Sequence, residues 1–517
     1  MGSFPSSGLK IGGNMFKDFN KFKKYLENLS KESAYLRKFT NLRELALTVN
    51  KGLEVPFPEE LLDKAILDII NDSYPVYCDK KGNIITYRLA EYMISNEPMF
   101  TNGFNIYAYK DGVYKAIEER FIYKKIYSLM LLDTNKTTAK AKEVVESIKT
   151  ITYTNEVNNH CKQYVNVKNG VINLDTRKLE KHNPKFKTTL QFQANYMNDK
   201  EFNKVFESST FNKFLNTTLS GANVITLQEC FGLILSPHAK EVQKAFIFLG
   251  NGSNGKSAVA EIITKLIGGN NFMSCLGLAD FEKKFDLANI EGKFLNMNID
   301  DESISLEKTG KFKSIIAGDA VDIEKKGKDK VSYVPNLTCI IGLNKLPSTG
   351  DRSHGFYRRQ YIIPFNQTFG TKEEVANGTA TQVKNPKMIQ YILKHEMDIV
   401  FTWALKGLYR LIENEFVLTY NDEVAAELEE FRLESDSVYA FYKFKIELSP
   451  FDTDRIKASE LYQEYENYCR ELGVPPQNGT NFGKGLKALG VKAKRTNAGN
   501  YYLGIIGFKD NCEWNNK

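Results

Sequence analysis

No apolar run in these 517 residues approaches the roughly 18 that a membrane-spanning helix needs. The opening MGSFPSSGLKIGGN also lacks the apolar core of a signal peptide, so membrane and secreted classes are both disfavoured. Cysteine is sparse: seven residues, at 78, 161, 230, 275, 339, 469 and 512, widely spaced and without a C-x-x-C pair. That pattern argues for reduced thiols in a cytoplasm rather than a disulfide framework. Five scattered histidines offer no zinc spacing. Arginine is scarce as well, 13 against 57 lysines, and with the abundance of Asn, Ile, Phe and Tyr this reads as an A/T-rich source genome. The net charge of +7 does not by itself indicate nucleic-acid binding, so its distribution has to decide.

What remains is a globular composition, 42% hydrophobic and 26% charged, on a chain long enough for two to four domains. Phe16, Phe19, Phe22 and Tyr25 recur at helical spacing before the Pro56/Pro58 breakers, giving a helical segment over 1–58. An α+β region is expected over 59–200, with short strands such as Asn83–Tyr87 and Val165–Asn173. A helical lead-in (201–240) stops at Ser236-Pro237. Apolar strands then alternate with helices through an α/β core (241–385), followed by a helical linker or lid (386–450) and a small module (451–517).

The most specific signal is FIFLGNGSNGKS followed by AVAEIITKLIG, which fits G-x-x-x-x-G-K-[ST] between an apolar strand and an amphipathic helix. In such a loop, Gly250, Asn251, Gly252, Ser253, Asn254 and Gly255 converge backbone N–H groups on a phosphate at a helix N-terminus. Lys256 then neutralises the β- and γ-phosphates, and the Ser257 hydroxyl ligates Mg²⁺. A phosphate loop needs an acid at a neighbouring strand end. FLNMNIDDE supplies one, with Asp301 as the metal-side acid and Glu302 as the water-polarising base. Lys325, Lys326 and Lys328 crowd the tip of a hairpin around Gly327, either a solvated face or a grip on a phosphate backbone. Asn344 ends a buried strand, placed to sense a γ-phosphate or the attacking water. Arg352, Arg358 and Arg359 fall within eight residues and suit either a structural ion pair or a finger supplied to a neighbouring subunit's transition state. In the last module, Ser459 is expected to cap a helix bearing Leu461, Tyr462, Tyr465, Cys469 and Leu472. A second helix around Thr480–Leu489 leaves Lys484 and Lys487 free. A hairpin turning at Asn497–Asn500 carries Lys492, Lys494 and Arg495, for DNA contact or for protein packing.

Taken in order, GNGSNGKS, GKFLNMNIDDE, FKSIIAGDAVDIEKKGKDKVSYVPNL, IIGLNKLP and DRSHGFYRRQYIIPF resemble superfamily 3 helicases. They are most similar to the helicase part of phage, plasmid and poxvirus primase–helicases, a group that includes the helicases of staphylococcal chromosome cassettes and pathogenicity islands. YVNVKNGVINLDTRKLEKHNP and LQECFGLIL extend the resemblance upstream, to about residues 75–510 in all. The resemblance implies an α/β fold: a P-loop AAA+-like ATPase core with an N-terminal mixed α+β and helical region and a C-terminal winged helix. It makes Gly250–Ser257 the Walker A loop, Asp301 and Glu302 the Walker B acids, Asn344 sensor 1, and Lys326 and Lys328 the tip of a DNA-tracking hairpin. Arg358 would be the arginine finger, with Arg359 as fallback.

It further implies ATP and Mg²⁺ as cofactors, single- and double-stranded DNA as partners, a homo-hexamer, replication partners such as a primase, polymerase and single-strand-binding protein, and the cytoplasm of a bacterial host. About 75 residues precede the resembling region, too few for a primer-synthesising domain, so primase activity is not expected. The rival readings are an origin-binding initiator or loader ATPase, and a P-loop kinase or packaging ATPase.

Overall fold

The apolar strands of the α/β core read as near-continuous hydrophobic runs because both faces of their sheet are covered. These strands are β1 (Ala245–Leu249), β2 (Met273–Ser274), β3 (Leu295–Asn298), β4 (Thr338–Leu343) and β5 (Gln360–Pro364). They form one parallel sheet in the order β5-β1-β4-β3-β2. Alternation along β1 sends Phe246 and Phe248 to one side and Ala245 and Ile247 to the other, and each pair enters a separate core.

The computed structural model describes residues 18–32, 39–53, 55–73, 75–79, 81–103, 105–155, 160–303, 305–327, 329–497 and 499–509. Phe16, Lys328 and Cys512 therefore lie outside the described residues. The chain divides into two compact units, Met1–Asn158 with Pro184–Thr189, and Asn159–Asn183 with Leu190–Lys517. The boundary falls inside the stretch expected as one α+β region.

In the first unit, helices Phe19–Glu32, Phe39–Lys51 and Glu59–Ser73 share a core of Phe22, Leu26, Leu42, Ala46, Leu62 and Ile66. An antiparallel meander, Met99–Asn102, Asn105–Lys110 and Val113–Ile117, packs with helices Thr86–Asn96 and Thr138–Ile151. The expected strand Asn83–Tyr87 is not one. Ile84 makes an isolated bridge to Cys78, and the helix starts at Thr86, where Leu89, Ala90 and Met93 bury a helical face that a short β-branched run conceals.

In the second unit, Val165–Asn173 is a hairpin of two strands, Tyr164–Val167 and Gly170–Asn173, rather than one. Helices α1 (Thr210–Thr218) and α2 (Gly221–Ile234) follow, capped by Ser209 and Ser220. Beyond β1 comes α3 (Lys256–Ile267), and beyond β5 come α4 (Pro386–His395), α5 (Met397–Glu413) and α6 (Asp422–Ser435). Helices α2 and α5 touch at glycine: a Cβ on Gly232 would lie 2.3 Å from the Leu408 nitrogen, and one on Gly407 would lie 2.2 Å from the Gln228 carbonyl. Gly232 and Gly407 thus let the two helices pack on the phenylalanine side of the sheet, against α3.

The chain ends in α7 (Ser437–Phe444), α8 (Ala458–Glu471), α9 (Gly479–Ala488) and a sheet of Arg455–Lys457, Gly499–Leu503 and Ala493–Thr496. Phe441, Leu461, Tyr465, Phe482 and Leu486 form its core. Ser459 does not cap α8. The helix begins one residue earlier, Lys457 holds the cap position without a side-chain bond, and Ser459 falls inside the first turn.

Candidate functional site

Between Leu249 and Lys256 the backbone bends sharply, with φ of +93° at Gly252 and +95° at Gly255, values that suit glycine. A Cβ on Gly255 would also lie 2.7 Å from Thr218 Cγ2, so α1 closes on the loop from one side. The Gly250 N–H donates to the Leu343 carbonyl at 3.0 Å, tying the loop to the end of β4. From the other side, the Phe369 N–H donates to the Ser253 carbonyl at 2.6 Å.

Lys256 is only 4% exposed. Its ammonium donates to the Gly250 carbonyl, the Leu343 carbonyl at 3.3 Å and Asn344 Oδ1 at 3.1 Å. Burial lowers its pKa, and the Asp300 carboxylate opposes that shift by favouring the charged form. Asn254 is buried and its Nδ2 has no hydrogen-bond partner, an orphaned donor within a loop whose chemistry calls for an anion. Ser257 stands exposed at the start of α3. Asn254, Lys256, Ser257, Asp300 and Asn344 all line one cavity of about 650 Å³, within the size range of small-molecule sites. Its far wall is apolar, with Phe214, Phe369, Met388 and Ile389.

Of the three consecutive acids, Asp300 lines this cavity and Asp301 does not. The Asp301 carboxylate accepts from the Leu278 N–H at 2.7 Å, the Ser303 N–H at 3.1 Å and the Ser303 hydroxyl at 2.6 Å. It sits so close to Gly277 that a Cβ there would lie 2.7 Å from Asp301 Oδ1. The Asp301 N–H donates to the Gly342 carbonyl at 3.1 Å, and the chain turns away at that point. Asp301 and Glu302 instead line a neighbouring cavity of about 600 Å³, which shares Asn344 with the first. Sequence reasoning passed over Asp300 although it directly follows the apolar Ile299. Nothing in the sequence marked Phe369 or Ile389 as cavity wall.

The three clustered arginines separate as clearly. Arg352 Nε donates to the Ser435 carbonyl at 3.1 Å and lies 3.9 Å from Asp436. Arg359 Nη1 donates to the Gly355 carbonyl at 2.6 Å, and its Nε is buried without a partner. Arg358 is exposed, and its side chain has no hydrogen bond or ion pair among the described residues. Nearby, Asp351 accepts from Thr309, from Lys313 at 2.6 Å and from the Ser353 N–H at 2.9 Å. These partners outweigh burial and hold its carboxyl down at about 2.

Val321–Ile323 pairs antiparallel with Val331–Tyr333, so the expected Lys-rich hairpin forms. Several of its charges are already matched. Lys325 pairs with Glu291, Lys330 lies 3.9 Å from Asp322, and Glu324 is held by Lys284 at 2.9 Å. Lys326 has no carboxylate partner among the described residues and rests 6.0 Å from the Phe285 ring centre. In the C-terminal module, Lys484, Lys487, Lys494 and Arg495 are exposed and have no carboxylate partner among the described residues, whereas Lys492 pairs with Asp452 at 2.7 Å.

Comparison with known families matches three separate stretches. Residues 86–220 match the family described as D5 N terminal like, residues 248–359 a family of unknown function, DUF5906, and residues 433–516 the family described as Poxvirus D5 protein-like. The first and last of these stretches are thus similar to D5-type families. The DUF5906 match spans the glycine-rich loop, the acids, Asn344 and the arginines, and the Poxvirus D5 protein-like match spans the C-terminal module. "Putative helicase 184R" of Invertebrate iridescent virus 6 is 23% identical over 247 residues, 42% of this chain and 25% of that protein. The match thus spans about a quarter of that relative's length. Among solved structures, the A form apo structure of the NrS-1 C terminal region covers 81% of this chain and 99% of its own, at 11% identity and a TM-score of 0.41. A second A form apo structure of that region has 12% identity and a TM-score of 0.38, covering 82% of this chain and 99% of its own.

Proposed function

We propose that this chain is an ATP-dependent DNA helicase of the superfamily 3 type that serves replication of a mobile genetic element in a bacterial host. One observation carries the reading: Lys256, Ser257, Asp300 and Asn344 converge on one cavity at the carboxyl edge of a parallel sheet ordered β5-β1-β4-β3-β2. In open α/β sheets that edge is where ligands bind, and the interposed β4 brings Asn344 between the loop and the acids, as an AAA+-like core requires. The unsatisfied Asn254 amide and the glycine cradle fit a polyphosphate.

Ser257 and Asp300 would hold Mg²⁺, which supplies charge neutralisation on the phosphates when bound. Lys256 exchanges its carbonyl acceptors for phosphate oxygens, and Asn344 orients the γ-phosphate or the attacking water. Asp301 holds the turn that carries Glu302, and Glu302 is the acid left to polarise that water for in-line attack. Arg358, unengaged among the described residues, reaches the site of the next subunit in a homo-hexameric ring. Lys326, with Lys325 and Lys328, tracks single-stranded DNA, and the C-terminal module acts as a winged helix on duplex through Lys484, Lys487, Lys492 and Lys494, with Arg495 on the inner face of the wing. Primer synthesis is left to a partner.

The test is ATP turnover and strand displacement on a forked duplex lacking any origin sequence, with Lys256→Ala as control. DNA-stimulated turnover with displacement is the expected result. Turnover without displacement supports the initiator or loader reading, and turnover indifferent to DNA supports a kinase or packaging ATPase.

A further inference from the structure

The wing hairpin of the C-terminal module encloses a cleft that duplex recognition does not use. Register pairs Ala493 with Tyr502 and Arg495 with Asn500, so these four share one face of the hairpin. That face is turned toward α8 and α9: the Tyr502 ring lies 6.4 Å from Phe482, and a Cβ on Gly483 would lie 2.9 Å from the Tyr502 hydroxyl. Between hairpin and helices is a cavity of about 530 Å³. Tyr462, Phe482 and Tyr502 form its aromatic wall, Ser459 and Asn500 its polar edge, and Arg495 its cationic edge, with Lys494 on the other face of the hairpin. Tyr462 is fixed in place by its hydroxyl, which donates to the Gln477 carbonyl at 2.9 Å. Among the described residues no Asp or Glu lines the cleft, and Glu466 acts on the Tyr462 hydroxyl.

We propose that this cleft binds one unpaired nucleotide of DNA, its base against the Tyr462 and Tyr502 rings and its phosphate on Arg495. The proposal rests on the reading of the chain as one that acts on DNA. Shape decides between paired and unpaired DNA. Duplex is read by side chains that protrude into its grooves, whereas a concave aromatic site is reached only by a base outside the stack. Stacking on aromatic side chains beside a cationic edge tolerates any base, because each has a π-face. The exposed Lys484 and Lys487 on adjoining α9 supply attraction for neighbouring phosphates, so the module suits the boundary between a duplex and its first unpaired residue.

The experiment uses the full chain without nucleotide and DNA carrying one 2-aminopurine, placed either as the first unpaired base of a fork or inside the duplex. Quenching on binding is expected only for the unpaired probe. Ser459→Leu fills the cleft from an exposed position in α8 without adding charge or a quencher. It should abolish the quenching and weaken fork binding about tenfold while leaving fully duplex DNA bound as before. Arg495→Gln should weaken fork binding in the same direction, so the test stands even if Ser459→Leu melts early. Equal quenching at both probe positions, or fork binding and quenching unchanged in both variants, overturns the proposal. Loss of the helicase reading would show separately, as absent strand displacement by a parent chain that still quenches the unpaired probe.

Discussion

The carboxyl edge of the central sheet and the C-terminal module both present charge, but they treat it in opposite ways. At the sheet edge, like residues come in neighbouring sets that the fold divides. Asp301 is held by Leu278 and Ser303 while Asp300 faces the cavity, and Arg352 is held by the Ser435 carbonyl; at the opposite, amino end of β5, Arg359 is engaged by the Gly355 carbonyl while the Arg358 side chain has no partner among the described residues. In the C-terminal module, aromatic packing around Phe441 and Phe482 supplies the scaffold, and Lys484, Lys487, Lys494 and Arg495 need no partner. The first arrangement suits a small, highly charged ligand whose every contact must be placed; the second suits a polyanion held by summed attraction.

Four substitutions at the two ends of the sheet should break that division most visibly. Arg358→Ala is expected to lower ATP turnover about a thousandfold while nucleotide-free DNA binding stays intact. Arg359→Ala should act on thermal stability, because it removes a packed donor rather than a free one. Mixing Arg358→Ala with Lys256→Ala subunits should restore part of the turnover if the finger acts across a subunit boundary, and additive loss in the mixture would argue against it. Asp300→Ala should cost roughly a hundredfold in turnover with an unchanged melting curve. Asp301→Ala should reverse the pattern: it strands the Leu278 and Ser303 donors at a cost of about 1–3 kcal/mol in stability. If Asp301→Ala is stable and inactive while Asp300→Ala is active, the metal-side acid is Asp301.

How much of this the sequence conveyed depends on whether the signal was local. The sharp glycine turn ahead of α3 was legible residue by residue, since its glycines answer to backbone geometry within one turn. The parallel sheet was legible because buried strands must be apolar on both faces. The choice among Asp300, Asp301 and Glu302 was not, since it turns on the Asp301 N–H meeting the Gly342 carbonyl of another strand, and on Gly277 leaving room for a carboxylate. Asn83–Tyr87 misled because its β-branched run precedes a helix whose buried face begins only at Leu89. The matched lysines of the hairpin were hidden for the same reason as the acids: Glu291 and Lys284 lie far from them in the chain.

Acid should loosen the sheet edge before it touches the basic module. Asp351, held at about 2 by Lys313, Thr309 and Ser353, is depressed relative to an unfolded carboxylate near 3.9. Its contribution is therefore complete above about pH 4 and is lost as pH falls toward 2. Melting temperature followed from pH 5 to pH 2, across about three units of that window, should fall less steeply for Asp351→Asn than for the parent. Parallel curves would mean that the unfolded chain holds this proton as weakly as the folded one.

The smallest effect expected concerns salt, and it compares the two basic protrusions directly. A lysine already paired with a carboxylate gives up that partner when it meets a phosphate, whereas an unpaired one displaces only solvent and condensed counterions. Each phosphate neutralised on duplex contributes about 0.9 to the slope of log affinity against log salt. Replacing Lys484 and Lys494 together by Gln should therefore reduce the slope for duplex DNA by nearly 2. Lys325→Gln, which breaks the pair with Glu291, should change it by well under 1 and leaves an uncompensated acid on the hairpin flank. Fluorescence anisotropy titrations from low to moderate salt resolve differences of that size. Equal slope changes at the two sites would mean that Glu291 releases Lys325 on contact with DNA, making the hairpin pair a latch on DNA binding instead of a fixed part of the fold.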